Sequence, residues 1–350
     1  MNAAYVSVLA ASEEDRRGLF AATARRIGST EQNVEKDFWA CWALDALFHE
    51  LPHGGPRLLF KGGTSLSKAF GLIQRFSEDV DITVFRADLG LSASPEELEK
   101  LTGKKRQARL DAIKNGCRQY IQESLRPQLK DILAATMKAA GTGRGDSGVI
   151  LDDSDDDGQT ILVRFPSVVT ARDSYVPASI KIESGAKSAL DPHVTAAISP
   201  FVAAEIPGNR LRVEGVRTIE PARTFWDKVI ILHGLRRWFE IRGELRQEGQ
   251  RVSRHYYDLH CLLAGKDAAA IKSELPLAAE CVRHARMFFD RPDFDLVSAK
   301  PGSFALLPTP AMLKGLKRDY ERMAGMIFGV IPPFGEVMVS VARLEKTLNQ

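Results

Sequence analysis

Cysteine is scarce in this 350-residue chain, and the four present, Cys41, Cys117, Cys261 and Cys281, stand far apart. Zinc sites take their ligands in closely spaced pairs, so this spacing excludes one and predicts reduced core thiols. Long apolar runs are missing as well: nothing approaches the eighteen or so uninterrupted apolar residues of a membrane-spanning helix. Glu13, Glu14, Asp15 and Arg16 interrupt the first twenty residues before any apolar stretch adequate for a secretory signal. A soluble, cytoplasmic protein without a membrane partner is expected. No single sign of charge dominates, since 48 Lys and Arg against 45 Asp and Glu leave a net +3, and the total therefore says nothing about partners. Internal repeats and low-complexity linkers are absent too. The length allows one large or two ordinary domains with substantial cores.

Against this plain background one stretch stands out: Lys61-Gly62-Gly63-Thr64-Ser65-Leu66-Ser67-Lys68, followed by Ser77-Glu78-Asp79-Val80-Asp81-Ile82. The apolar run Leu58-Leu59-Phe60 predicts a strand, the glycines a turn, and the residues from Leu66 to Ile73 a short helix. Asp79 and Asp81 then fall at period two on a second strand, so both side chains leave the same face. Glycines let a backbone approach phosphate without interference from Cβ, and the N–H groups of a following helix start point at anionic oxygens. Gly62 and Gly63 are candidates for that cradle, with hydroxyl donors from Thr64 and Ser65. Carboxylates on a half-buried strand are costly unless a cation meets them. Asp79 and Asp81 have the hard oxygen ligands that Mg²⁺ takes together with substrate phosphates. A Gly-Gly pair alone is equally a strand-to-helix turn; the order of the elements is what points to a metal and nucleotide site.

On these residues the chain resembles the DNA polymerase β-type nucleotidyltransferase superfamily, and within it the AbiEii/AbiGii toxins, which include the MenT toxins. The superfamily pattern of a Gly-Gly or Gly-Ser turn followed by Asp-x-Asp or Asp-x-Glu is met by Gly62, Gly63, Asp79 and Asp81. Fifteen residues separate Gly63 from Asp79, longer than is usual in the superfamily, and a long intervening helix carrying Lys68 and Arg75 would suit the AbiEii branch. Three further blocks carry the resemblance from about residue 30 to 265. The first is Val34-Glu35-Lys36-Asp37-Phe38-Trp39, opening an apolar helix through Leu47 that reads mainly as packing on a sheet. The second, Ile180-Lys181-Ile182-Glu183, alternates as a strand does. The resemblance makes Glu183 a third carboxylate that shares the metal and takes the proton of the attacking hydroxyl. Lys181, on the same face, is either a nucleotide contact or an ion-pair partner of Glu183. The following Gly185 to Ser188 offers a second oxyanion turn.

The third block, Arg223 to His233, follows Pro221 and reads as a buried helix. Lys228 among Trp226, Val229 and Ile231 is expensive to bury without an anion, and the resemblance assigns it to the triphosphate of an NTP. Asp227 reads as a helix-start charge. In Ser253 to Leu259, Asp258 would orient Lys228 or the sugar, with an i, i+4 pair to Arg254 as the purely structural alternative. Shorter family members carry an acid where His255 stands, so no role passes to it.

Basic residues gather from Lys104 to Lys138 and again from Arg236 to Arg254, as stripes able to neutralise RNA or simply as solvated helix faces. Asp152, Asp153, Asp155, Asp156 and Asp157 lack the EF-hand order and read as a hairpin tip that would repel nucleic acid or meet a basic antitoxin. The fold class expected is α/β: a polymerase β-like nucleotidyltransferase lobe with a mixed sheet over residues 1–220, interrupted by a basic helical insertion at about 95–140. A mainly helical lobe over 221–350 would complete the nucleotide cleft, with helices at 221–240, 254–264, 267–289 and 309–328 and a tail from Pro332 covering one lobe.

The resemblance implies a Mg²⁺-dependent enzyme, with Mn²⁺ as a substitute, that uses an NTP. It would be the toxin of a toxin–antitoxin and phage-defence system, adding nucleotides to the 3′ acceptor end of tRNA and so blocking translation. Its antitoxin would be bound or only genetically linked. Transfer to a protein or small-molecule hydroxyl, or a non-catalytic nucleotide-binding module, stay open as alternatives.

Overall fold

Leu58, Leu59 and Phe60 are apolar without alternation, as a strand covered on both faces must be, and all three are buried. In the computed structural model they form β1 (Leu58–Lys61) inside a seven-stranded sheet with β2 (Asp79–Val84), β3 (Gly148–Leu151), β4 (Thr160–Arg164), β5 (Ser179–Glu183), β6 (His193–Ile198) and β7 (Val213–Ile219). The order is β3-β4-β5-β2-β1-β7-β6. β1 runs antiparallel to β2 and parallel to β7, and β2 runs parallel to β5, so the sheet is mixed and the fold α/β, as the sequence predicts. The structure describes residues 2–77, 79–142, 147–169, 178–208, 210–246, 251–266 and 268–350; Glu78 of the motif and residue 267 of an expected helix lie outside them.

The chain divides into two compact units, one of Met1–Phe70, Phe76–Ala93 and Gly103–Ile219, the other of Gly71–Arg75, Ser94–Thr102 and Glu220–Gln350. The first holds the whole sheet. The helix Glu31–Asp45 buries Val34, Phe38, Trp39, Trp42 and Leu44, with Trp39 stacked on Phe165 at 5.0 Å between ring centroids. Its apolar reading holds, but Asp37 is buried too, in an ion pair with Lys68. The expected basic insertion is helical from Gly103 to Ala139, broken only by a π turn at Ile121–Leu125. Pro127 follows that turn; its ring removes one helical N–H and crowds the carbonyl of Glu123, and a widened turn relieves this.

The second unit is helical, with Pro221–Arg242, Ser253–Ala264, Leu275–Phe288, Pro310–Met323 and Phe334–Leu348 as its longer helices. The single helix expected over 267–289 is two, Ala268–Ser273 and Leu275–Phe288, because Pro276 cannot supply the N–H that continuity needs and sits instead in a first turn. The tail from Pro332 is the helix Phe334–Leu348, packed on Ser253–Ala264 within this unit. Cys41, Cys117 and Cys281 are buried free thiols and Cys261 a half-buried one. Among the described residues no helix is long and apolar enough to cross a membrane.

Candidate active site

The helix after β1 starts on the glycines themselves, at Gly62–Lys68. The expected helix from Leu66 to Ile73 is therefore shifted towards the N-terminus, and Arg75 lies outside it in a bridge with Ile327. The shift has a steric cause. Gly62 has φ +79°, and a Cβ on it would stand 2.1 Å from Asp81 Oδ2, so only glycine lets the turn close over β2. Thr64 donates its hydroxyl to the carbonyl of Asp79, and Ser65 donates to the carbonyl of Gly62 at 2.8 Å. Both side chains are buried. Thr64 thus ties the turn to β2 and Ser65 closes the turn on itself, which leaves backbone N–H groups as the donors the turn can offer an anion. At the far end Lys68 is fixed by Asp37 and lies 3.3 Å from the centroid of Phe201.

On β2, Val80 and Ile82 are fully buried while Asp79 and Asp81 face the half-exposed side, as period two requires. Parallel pairing sets Asp79 opposite Lys181 and Asp81 opposite Glu183, and antiparallel pairing sets Asp81 opposite Lys61. Three carboxylates and two ammonium groups thus share one face of three adjacent strands. Lys61 Nζ lies 3.6 Å from Asp81, while Lys181 Nζ lies 3.0 Å from Glu183 and 3.5 Å from Asp152. Partial burial works to lower the Lys181 pKa, but Glu183, Asp79 and Asp152 together raise it, so it is fully charged at neutral pH.

Among the described residues no three His, Cys, Asp or Glu side chains close on a point that would hold a metal ion. Lysine ammonium groups lie where the carboxylates meet. The donor set still suits Mg²⁺, which needs one or two carboxylates and takes its other ligands from phosphates and water: Asp79 and Asp81 are hard donors on one face, with Glu183 in register beside them.

The acidic run is the tip of the β3–β4 hairpin, as expected; Asp153, Asp156 and Asp157 are exposed there, while Asp152 and Asp155 are half-buried. Asp155 accepts from Gln159 N–H and the Thr160 hydroxyl, Asp157 pairs with Lys114 at 3.0 Å, and Asp152 reaches Lys181. In the Gly185 to Ser188 turn, Ala186 and Ser188 give their carbonyls to the buried Arg86 guanidinium.

In the second unit Lys228 is buried in the helix Pro221–Arg242, with Nζ 2.7 Å from Asp258 Oδ2. Asp258 is fully buried and is held by Arg75 through two bonds, Nε to Oδ1 at 2.7 Å and Nη2 to Oδ2 at 2.9 Å. Arg75 and Lys228 thus take the place of the Arg254 pairing weighed from sequence. Burial lowers the Lys228 pKa against the opposing pull of Asp258, and Arg75 and Arg254 lower it further. Asp258 is pushed the other way: burial works to raise its pKa, but Arg75 and Lys228 hold it far below the carboxylate range. His255 is kept neutral by burial and by Lys228 and Arg254, and its buried Nδ1 has no hydrogen-bond partner among the described residues. Asp227 is half-exposed and takes a bond from Arg223 Nε at 3.1 Å.

Sequence reasoning named Lys61, Arg75 and Asp152 but did not bring them to these carboxylates. Lys61 adjoins the glycines at the end of an apolar strand, so its place beside them was legible; Arg75 and Asp152 owe their positions to tertiary pairing that no local pattern carries.

The family described as nucleotidyl transferase AbiEii toxin of type IV toxin–antitoxin systems matches residues 45–346. The match begins after the Val34 to Trp39 block and runs well beyond residue 265. No curated protein matches the chain. Among solved structures it is similar to MenT4, a nucleotidyltransferase toxin from Mycobacterium tuberculosis H37Rv, at 17% identity and a TM-score of 0.44 over 95% of this chain and 97% of that one. The chain belongs to the AbiEii nucleotidyltransferase toxins of type IV toxin–antitoxin systems.

Proposed function

We propose that this toxin transfers NMP from an NTP to the 3′ acceptor end of tRNA, dependent on Mg²⁺, and that it arrests translation when its antitoxin fails or a phage infects. The observation that carries the chemistry is the shared face of Asp79, Asp81 and Glu183, set by strand register. Asp79 and Asp81 would hold Mg²⁺ with Glu183 beside them; bound there, it would neutralise phosphate charge and lower the pKa of an attacking hydroxyl. Glu183 accepts the proton that this hydroxyl loses, and Lys181 Nζ lies 3.0 Å from its carboxylate. Gly62 and Gly63 present backbone N–H groups to phosphate oxygens. Lys228 pairs with the triphosphate, oriented by Asp258.

The RNA acceptor rests on the helix Gly103–Tyr120 in the same unit as the carboxylates. Lys104, Lys105 and Arg118 are exposed along it, as cations able to neutralise RNA phosphates. A protein or small-molecule hydroxyl is the second reading, favoured by the neutralisation of Lys114 by Asp157. Periodate oxidation of tRNA removes the terminal hydroxyls and separates the two: lost incorporation from labelled NTP supports the 3′ end as acceptor, and undiminished incorporation rules it out.

A further inference from the structure

Arg75 stands outside every role the family pattern assigns in this chain, yet it is one of the most confined cations in the molecule. It is 4% exposed, and its Nε and Nη2 donate to the two oxygens of Asp258, itself wholly buried. A planar guanidinium donating through a fork is the geometry that fixes a carboxylate in orientation as well as in place. Lys228 takes its 2.7 Å contact from Oδ2, the oxygen that also accepts Arg75 Nη2. One carboxylate therefore serves two cations.

We propose that Arg75 is a positioning residue for the triphosphate, acting on Lys228 through their shared Asp258; this rests on the assignment of Lys228 to the triphosphate. Two consequences follow from the sharing. The fork fixes the Asp258 plane, so Lys228 Nζ has a single low-energy position. The fork also takes part of the carboxylate's charge, so Asp258 alone does not neutralise Lys228, and the ammonium keeps charge and donors for a polyanion. Without Arg75, Asp258 and Lys228 close into a neutral buried pair, free to turn and with little attraction left for phosphate. A charged hydrogen bond contributes about 1.5–3 kcal/mol, which corresponds to about a ten- to hundred-fold change in affinity.

The test is steady-state kinetics of full-length protein with ATP, CTP, GTP and UTP, each with Mg²⁺ and tRNA, on wild type, Arg75→Gln, Arg75→Lys, Lys228→Gln and the Arg75→Gln/Lys228→Gln double variant, with folding checked by circular dichroism. The expected result for Arg75→Gln is an NTP KM raised about ten-fold or more, with kcat at saturating NTP nearly unchanged. Arg75→Lys, which keeps the charge but not the fork, falls between Arg75→Gln and wild type, and the double variant is no worse than Lys228→Gln alone. A merely structural arginine would instead lower the melting temperature and the active fraction at unchanged KM, and that result overturns the proposal. Unchanged KM in Arg75→Gln with a raised KM in Lys228→Gln removes Arg75 from the site and leaves Lys228 in it. Unchanged KM in Lys228→Gln removes the assignment of Lys228 itself. Should Arg75→Gln not fold, Arg75→Lys decides: a several-fold rise in KM supports the positioning role, and a wild-type KM contradicts it.

Discussion

Gly62 and Asp81 approach so closely that a single added carbon on the glycine would sit 2.1 Å from the aspartate's Oδ2. The turn proposed to offer N–H groups to phosphate and the carboxylate proposed to hold the metal are thus packed as one piece. Gly62→Ala forces Asp81 to move and strains a backbone at φ +79°. A loss of about 1–3 kcal/mol in stability is expected, with transfer falling about a hundred-fold because a displacement near 1 Å is that costly. Chemical denaturation and initial rates, measured side by side, check both numbers; a folded Gly62→Ala with full activity would contradict the packing argument.

The proposed roles divide the carboxylates. Asp79→Asn and Asp81→Asn should abolish transfer at any pH with the fold retained, since each removes a negative charge and one of two oxygens from the proposed metal ligands. Glu183→Gln should leave a residual rate that rises with pH, because hydroxide replaces the lost proton acceptor. A pH–rate series on the three variants distinguishes a metal ligand from a base.

Lys228 has its pKa lowered by burial, with Asp258 opposing and Arg75 and Arg254 adding to the effect. It therefore loses its proton below the ordinary lysine range, and NTP affinity should decline on that alkaline side. Folding stability follows the opposite sign: the unfolded chain binds the extra proton between the lowered and the ordinary pKa, so this group makes stability rise with pH there. Lys228→Arg, which stays charged, should flatten the alkaline limb of kcat/KM. An identical limb in Lys228→Arg and wild type would assign it to another group.

Lys68 and Asp37 form a pair in which neither side chain is more than 6% exposed. Asp37 also accepts from the backbone N–H of Phe201 at 2.7 Å. Asp37→Ala leaves a buried ammonium at the end of the helix Gly62–Lys68 and should cost about 3–5 kcal/mol, read as a lowered denaturation midpoint. Lys68→Met with Asp37→Leu, replacing both charges, should recover much of it.

If the helix Gly103–Tyr120 meets RNA, replacing Lys104, Lys105 and Arg106 by Gln should weaken tRNA binding and reduce the salt slope by about 0.7 for each phosphate that is no longer neutralised. Filter binding across a salt series measures this. An unchanged slope would return these residues to a solvated helix face.

The face that carries Asp79, Asp81 and Glu183 was legible because each of its pieces is local: two aspartates at period two, glycines before them, and a separate strand carrying Glu183. Register then did the assembling, and the Lys181 to Glu183 ion pair foreseen from alternation is present at 3.0 Å. What escaped depends on partners distant in sequence. Arg75 lies 183 residues from Asp258, and its neighbours give no hint of burial. The lysine partners of the acidic tip were equally hidden, since Lys114 and Lys181 reach it from separate elements. Helix limits failed where sterics overrode propensity: Gly62 begins a helix despite its poor propensity, and Pro276 breaks one that apolar periodicity would have continued.

The central claim is nucleotidyl transfer to tRNA by the Asp79, Asp81 and Glu183 face. Purified protein incubated with total tRNA, Mg²⁺ and each α-³²P-labelled NTP in turn, beside Asp79→Ala, tests it directly on a denaturing gel. The account predicts label on tRNA with wild type alone. Unlabelled tRNA with wild type despite measurable NTP binding, or equal labelling by Asp79→Ala, would contradict it.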